Sequence, residues 1–431
     1  MPNEAAANTE RTSVELFAGG GGLAIAVESA GFRPLLFNEF AKRACETLAL
    51  NRARPFDVAD WRTISEVPAK GERPPLVVGD VTKVNFEYLR FSEVDVLAGG
   101  PPCQPFSLGG VGHGDEDDRN GFPHMFRAVS EIRPRAVICE NVRGLLRPSF
   151  SPYFDYIKRE LALPHVKRAE GAHWSDHDRI LRREARSRRV PDDERYDVAH
   201  FAVNAADYGV PQIRNRVIVV AFRRDVGVDL GRYASLVAPT HSEAILFEDM
   251  ISGGYWDRHE KGPRDPVRRR VMERIPRDRP LPIDRPRLDP WRTLRDAVLG
   301  TDGQLPLPDI PDERLDRTEF EPGRFTHHVG WPDARVYPGH TPNELDRPAK
   351  TVKAGVHGVP GGESVMLRDD GTHRYMTVRE TARVMTFPDS WELAGPRGEK
   401  MRQLGNAVPV QLGKAFADAI ATVLDEAKPK G

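Results

Sequence analysis

Apolar residues come in short continuous blocks along the first half of the chain, each followed by a stretch with helical spacing. Ser13–Phe17, Pro34–Phe37, Leu76–Gly79, Val94–Ala98, Ala136–Cys139 and Val217–Phe222 read as strands buried on both faces. Gly22–Ala30, Ala41–Asn51 and His124–Ile132 carry small and apolar residues three and four apart, which predicts helices. The alternation predicts an α/β fold with a doubly wound, mostly parallel sheet and helices on both faces. Such sheets bind ligands beyond the carboxyl ends of their strands.

The pattern changes after Phe222. From Arg223 to Leu345 the chain is polar and rich in Pro and Arg, with weak periodicity, yet Trp256, Trp291 and Trp331 remain for a core. This predicts a second, smaller irregular domain. Residues 167–195 form a second, strongly charged stretch, read as a surface excursion. Compact patterning returns near Thr377, and Gln411–Ala427 is an amphipathic helix. The expected division is 1–225, then 226–395, then 396–431 returning to the first domain.

Composition narrows the class. The net charge of −1 over 431 residues announces no polyanionic partner for the chain as a whole, but Arg179–Arg189 and Arg258–Arg295 are locally basic, and phosphate contacts need only one positive face. No apolar run is long enough for a bilayer, and the first residues lack a signal core, so a soluble cytosolic protein without membrane partners is expected. Three cysteines without paired spacing, Cys45, Cys103 and Cys139, point to neither a disulfide framework nor a metal site.

Two sets of residues carry chemistry. The run Phe17–Gly22 joins the first strand to the first helix, where glycines permit a tight turn and close approach to a ligand. Glu39 closes the second strand, where ribose hydroxyls are gripped in nucleotide sites, and Asp80 closes the third, where it can accept from an adenine amino group. The second set begins with Pro101-Pro102-Cys103-Gln104 after the fourth strand, where the prolines fix the approach to the cysteine. A glycine-rich charged stretch, Gly109–Asn120, follows. Glu140 ends the next strand. In Gln212-Ile213-Arg214-Asn215-Arg216, alternation places the glutamine and both arginines on one side. A nicotinamide dehydrogenase would explain the glycines but leave the cysteine loop idle.

Together these blocks resemble the bacterial cytosine-5 DNA methyltransferases. Phe17–Gly22, Pro101–Gln104, Glu140-Asn141-Val142, Gln212–Arg216, Arg347–Val352 and Gly405-Asn406-Ala407-Val408-Pro409 stand in that family's order over nearly the whole chain. The resemblance implies a Rossmann-like methyltransferase fold with a target recognition domain in the irregular region. It implies S-adenosylmethionine as methyl donor, S-adenosylhomocysteine as product, and a flipped cytosine in double-stranded DNA as substrate. By the same carry-over Cys103 is the nucleophile and Glu140 shares a proton with the base. Arg214 holds the base carbonyl, and Arg216 orients the cysteine loop. Phe17, Gly19, Gly21, Gly22, Leu23, Glu39, Phe40, Asp80, Val81, Pro102, Asn406 and Val408 surround the cofactor. Gln104, Ser107 and Arg119 contact DNA. Where the family often has a leucine–phenylalanine pair, this chain has Gly121-Phe122-Pro123, so Phe122 is the expected substitute. The family setting is host-DNA modification in restriction-modification or anti-phage defence, by a monomer near the bacterial nucleoid. An RNA methyltransferase on the same scaffold and a DNA-binding regulator without activity are the alternatives.

Overall fold

A computed structural model describes residues 10–57, 66–102, 120–187, 189–262, 265–276, 288–300, 303–319, 324–336, 338–339, 341–354 and 364–428. Two compact units interleave in sequence. The first holds residues up to 202, then 216–237 and 416 onward; the second holds 203–215 and 238–415.

The first unit is built on an eight-stranded sheet. Its elements begin with β1 (Thr12–Leu16), α1 (Gly22–Ser29), β2 (Arg33–Glu39), α2 (Lys42–Asn51), β3 (Arg54–Asp57), β4 (Pro75–Val78) and β5 (Val96–Gly99). They continue with α3 (Phe122–Ile132), β6 (Ala136–Val142), α4 (Ser151–Ala162), α5 (Trp174–Glu184), β7 (Tyr196–Asn204), β8 (Asn215–Arg223) and α6 (Leu230–Leu236). Strand order is β3-β4-β2-β1-β5-β6-β8-β7; the pairs from β3 to β6 are parallel and β8 runs antiparallel to β6. The predicted strands all form, within a few residues of their expected ends. Their continuous apolar runs follow from burial on both faces: Val14, Leu16, Leu97, Val137 and Val219 lie in one core with Met125, Val129 and Ile157.

Chain order along the sheet reverses at β1. The chain steps outward to β2 and β4, then returns to β5 on the other side. Register aligns the carboxyl ends: Leu16 lies beside Asn38 and Gly99, Gly99 beside Cys139, and Glu39 beside Val78. The Phe17 turn, the Gly100–Pro102 stem and Glu140 therefore leave the sheet side by side, at the switch point where such folds bind ligands.

Residues 167–195, expected as a surface excursion, instead carry a packed helix. On α5, Leu181 and His177 are buried, and Asp178 takes charged hydrogen bonds from Arg159 and Arg182. The helix buries one face and leaves Arg179, Arg182 and Arg183 exposed, so the charged composition belongs to a surface helix rather than a solvated loop. At the chain's end, a helix over Arg397–Asn406 leads into one over Val410–Glu426. The stretch Arg397–Glu426 is long and apolar enough to cross a membrane, but 72% of its apolar window is buried in the fold, as in a core helix.

The second unit is less regular. Short helices at Glu243–Ser252, Gly254–Arg258, Pro266–Met272 and Leu294–Leu299 surround Leu246, Phe247, Met250, Tyr255, Trp256 and Trp291. Under them lies a buried polar network. The Tyr255 hydroxyl donates to Asp346 (2.9 Å), and Arg295 pairs with both Asp346 and Asp369.

Candidate active site

Every group at the sheet edge of the first unit is set by the turn that carries it. Phe17 adopts a left-handed backbone (φ +56°), a conformation costly for a side chain this large and common at ligand sites. Gly19 and Gly21, at φ +55° and +90°, complete the turn without that cost. The turn is held from beneath by Glu15 on β1. Glu15 is bonded to the Ala24 backbone; burial, with the Glu39 charge adding to it, pushes its carboxyl well above the carboxylate range. Sequence reading passed over Glu15, although a carboxyl inside an apolar central strand is itself a signal.

Glu39 is fixed by three backbone N–H groups, from Gly19 (2.6 Å), Phe40 (2.9 Å) and Ala41 (2.7 Å). A carboxylate offers about four acceptor positions, so lone pairs remain for a ligand hydroxyl. Phe40 stands 76% exposed beside it, an apolar ring free to cover a ligand. Asp80 caps the turn at Val81–Lys83 by accepting from Thr82 N–H (2.9 Å). That bond, with its neighbours His124 and Lys83, holds the Asp80 carboxyl below its usual range, so it is an anionic acceptor at neutral pH. His124, on the first turn of α3, is held below the ordinary histidine range by burial and by Arg127. Leu23 and Val81 are buried beneath these groups. Carboxylates at two adjacent strand ends, an αL phenylalanine and an exposed ring make a donor and acceptor set that fits a bound adenosine.

Beside it lies the stem of the cysteine loop. Cys103, Gln104, Ser107 and Arg119 lie outside the described residues; Pro101, Pro102 and Asn120 lie within them. Asn141 donates its side-chain N–H to the Pro101 carbonyl (3.1 Å), and Gly121 N–H donates to the Pro102 carbonyl (2.9 Å). Gly121 packs so closely that an added Cβ would sit 2.6 Å from Pro102 Cδ. On the neighbouring strand Glu140 is nearly buried, and Arg216 Nε lies 2.6 Å from its Oε1. A Cβ on Gly100 would meet the other Glu140 oxygen at 3.8 Å, so the carboxylate faces the stem. The other two cysteines are unreactive: burial pushes the thiols of Cys45 and Cys139 up to about 12, with Glu39 adding to the shift at Cys45. Among the described residues no group of three His, Cys, Asp or Glu gathers for a metal.

A buried carboxylate, Glu140, paired with the guanidinium of Arg216 thus stands beside a proline-fixed stem, next to an adenosine-type cradle. A sequence profile described as C-5 cytosine-specific DNA methylase matches residues 11–163, 190–254 and 325–422.

The chain belongs to this family. It is an enzyme, a DNA (cytosine-5-)-methyltransferase. It is 34% identical over 415 residues to the type II methyltransferase M.NgoMIV of Neisseria gonorrhoeae, covering 96% of this chain and 98% of that one. It is 29% identical over 430 residues to M.Eco47II of Escherichia coli, covering 97% and 81%. Among solved structures, the Entamoeba histolytica methyltransferase EhMeth shares the fold with TM-score 0.51 at 13% identity, covering 97% of this chain and 99% of that one.

In this methylase the two arginines of the Gln212–Arg216 block have different surroundings. Arg216 pairs with Glu140 in the first unit. Arg214, 1% exposed, belongs to the second, where its guanidinium donates to the carbonyls of Val352 (3.0 Å), Gly405 (2.7 Å) and Ala407 (3.1 Å). The expectation that Arg214 holds the base and Arg216 the loop thus meets an Arg214 engaged by main chain. Gln212 joins the same cluster, accepting from Val352 N–H (3.1 Å). A Cβ added at Gly405 would sit 2.5 Å from the Lys353 and Ala354 backbone, so only glycine fits. The blocks around 212, 352 and 405, far apart in sequence, are one knot in the second unit. Asn406 is exposed at its surface and Val408 is buried. Phe122, the expected substitute for a cofactor contact, is fully buried and stacks on Phe126 (6.0 Å) in the core.

Proposed function

We propose that this methylase transfers a methyl group from S-adenosylmethionine to carbon 5 of a flipped cytosine in a specific double-stranded DNA sequence, through a covalent bond to Cys103. The observation that carries the reading is the Glu140–Arg216 pair facing the stem one residue before Cys103. The type II methyltransferase relatives favour a role in modifying host DNA within restriction-modification or a related defence system.

Phe17 and Phe40 would cover the adenine of the cofactor. Asp80 accepts from its amino group, and Glu39 from the ribose hydroxyls. When bound, the sulfonium supplies an electrophilic methyl group. The chain's own work is on the base. Cys103 thiolate adds to carbon 6, and the electron pair displaced toward N3 is met by a proton shared with Glu140. We assign the base-facing guanidinium to Arg216 rather than Arg214, because Arg216 Nε lies 2.6 Å from Glu140 Oε1 while the Arg214 guanidinium is taken up by three main-chain carbonyls. Carbon 5, now an enamine carbon, takes the methyl. A base removes the carbon 5 proton, the carbon–sulfur bond breaks, and Cys103 leaves as thiolate while the N3 proton returns to Glu140. The Pro101–Pro102 stem and Asn141 hold the cysteine's approach fixed through these steps.

Bisulfite sequencing of DNA from cells making the protein tests this reading and gives the site. Protected cytosines in one sequence context are expected with the natural chain and none with Cys103→Ser. Equal protection with both would refute the role of Cys103.

A further inference from the structure

Asn120 follows the stretch that carries Cys103, and its side chain is held at both ends. Asn120 is 5% exposed. Its side-chain N–H donates to the Tyr153 hydroxyl on α4 at 2.5 Å, and its carbonyl accepts from Phe122 N–H at 3.3 Å. The next residue, Gly121, bonds the Pro102 carbonyl and packs against both prolines. The two stems of the loop are thus one body, with Asn120 its pin and Tyr153 the socket.

Tyr153 is in turn set by α5. The Trp174 ring meets it edge-on, centroids 5.3 Å apart at 82°, and also touches Tyr156 at 5.5 Å. The helix is locked to α4: Asp178 bonds Arg159 at 2.6 and 3.1 Å, and the Tyr156 hydroxyl meets His177 Nδ1 at 3.2 Å. The family match stops at residue 163 and resumes at 190, so α5 lies outside it. A phenylalanine at 153 would fill the same core volume. The hydroxyl adds the bond to Asn120, and the edge contact fixes where that hydroxyl sits.

We propose that the 167–195 insert braces the stem of the Cys103 loop through Trp174, Tyr153 and Asn120, and that these three are positioning residues for methyl transfer. The proposal rests on Cys103 being the nucleophile. A misplacement of a reacting group by about 1 Å costs up to about a hundredfold in rate, so a loosened stem should show in the chemical step.

The test is single-turnover methylation of a duplex carrying the site found by bisulfite sequencing, at saturating DNA and cofactor. Tyr153→Phe and Asn120→Ala should each slow methyl transfer about tenfold. Affinity for S-adenosylhomocysteine should stay at its natural value, and the Tm should fall only by the loss of one buried hydrogen bond, about a few degrees. The double variant should be no slower than the worse single one, since both remove the same bond. Trp174→Ala should slow transfer as well, and Trp174→Phe should restore most of it. A natural rate in Tyr153→Phe would overturn the brace. So would losses that multiply in the double variant, or rates that fall only in step with Tm. If Tyr153→Phe does not fold, the Trp174 pair decides alone, because that ring is only half-buried. Cys103→Ser runs alongside: full activity there would sink the nucleophile assignment, whatever the other variants do.

Discussion

Glu140 and Arg216 are both nearly buried and face each other, so each is the other's compensation. Removing one partner of such a pair leaves a buried charge and costs several kcal/mol, about 3–5 in comparable cases. Arg216→Ala should therefore lower the Tm and abolish transfer together. Glu140→Gln keeps the shape and a donor but cannot give up a proton. It should keep S-adenosylhomocysteine affinity while slowing single-turnover transfer by about 10² to 10⁴. A Glu140→Gln enzyme with a natural single-turnover rate would remove Glu140 from the proton path. Asp80 tests the cofactor cradle separately. It is partly exposed and its one bonded partner is its own turn, so Asp80→Ala should leave the fold intact. S-adenosylhomocysteine affinity should drop about tenfold by calorimetry, the worth of one hydrogen bond to a charged acceptor. Unchanged affinity would take Asp80 out of the site.

At the level of elements, the C-terminal helix is a structural member of the first unit. Phe416 is fully buried, its ring 5.6 Å from Phe201 and 6.5 Å from Tyr233, and beyond it Asp425 pairs with Arg11 and Glu426 with Arg232. Phe416→Ala should destabilise that unit by about 3–5 kcal/mol in urea unfolding. Loss under about 1 kcal/mol would mean the helix is not needed there. The central strands were legible because burial on both faces demands continuous apolar runs, and Phe17–Gly22 because a turn into a helix at a ligand edge demands glycine. β3, β7, α4 and α5 were not. β3 sits at the sheet edge with one large apolar residue, and β7 alternates exposure along its length. α5 buries Leu181, His177 and Asp178 and leaves most of its arginines exposed, a packing against α4 that composition does not carry. The motif residues were legible as types, but their partners were not: alternation put Arg214 and Arg216 on one side, and only the fold shows that one holds main chain and the other a carboxylate.

Across the whole molecule, the second unit depends on buried ion pairs. Burial pushes the Glu380 carboxyl up, but Arg374, 2.6 Å away, overrides it and holds the acid at about 2. Its unfolded value is near 4, so this pair's stabilisation is intact above about pH 4 and is lost as pH falls toward 2. Glu380→Gln should be less stable at pH 7 yet lose less stability than the natural chain between pH 4 and 2, as read by urea midpoints. An equal acid loss in both would assign the transition elsewhere. The Arg258–Arg295 stretch divides on the same ground. Arg295 is buried against two aspartates, and Arg258 pairs with Asp249 and Asp296, so both hold the unit together. Arg269 and Arg274 are exposed, Arg274 in a surface pair with Glu344 (2.9 Å) that solvent screens. Replacing those two with alanine should weaken DNA binding and lower its salt slope by about one unit each, whereas Arg295→Ala should lower the Tm. An unchanged slope would place the phosphate contacts elsewhere.

A covalent Cys103–cytosine bond can be caught with a duplex whose target base is 5-fluorocytosine. Fluorine cannot leave carbon 5 as a proton, so after methyl transfer the carbon–sulfur bond cannot break by elimination. Enzyme and DNA should migrate together in a denaturing gel when S-adenosylmethionine is present and separately when it is absent. Cys45→Ser and Cys139→Ser should trap like the natural enzyme, because those thiols are buried and protonated. Cys103→Ser should give no trapped band, since an alkoxide is far harder to form at neutral pH than a thiolate. A trapped band that survives in Cys103→Ser would contradict the account.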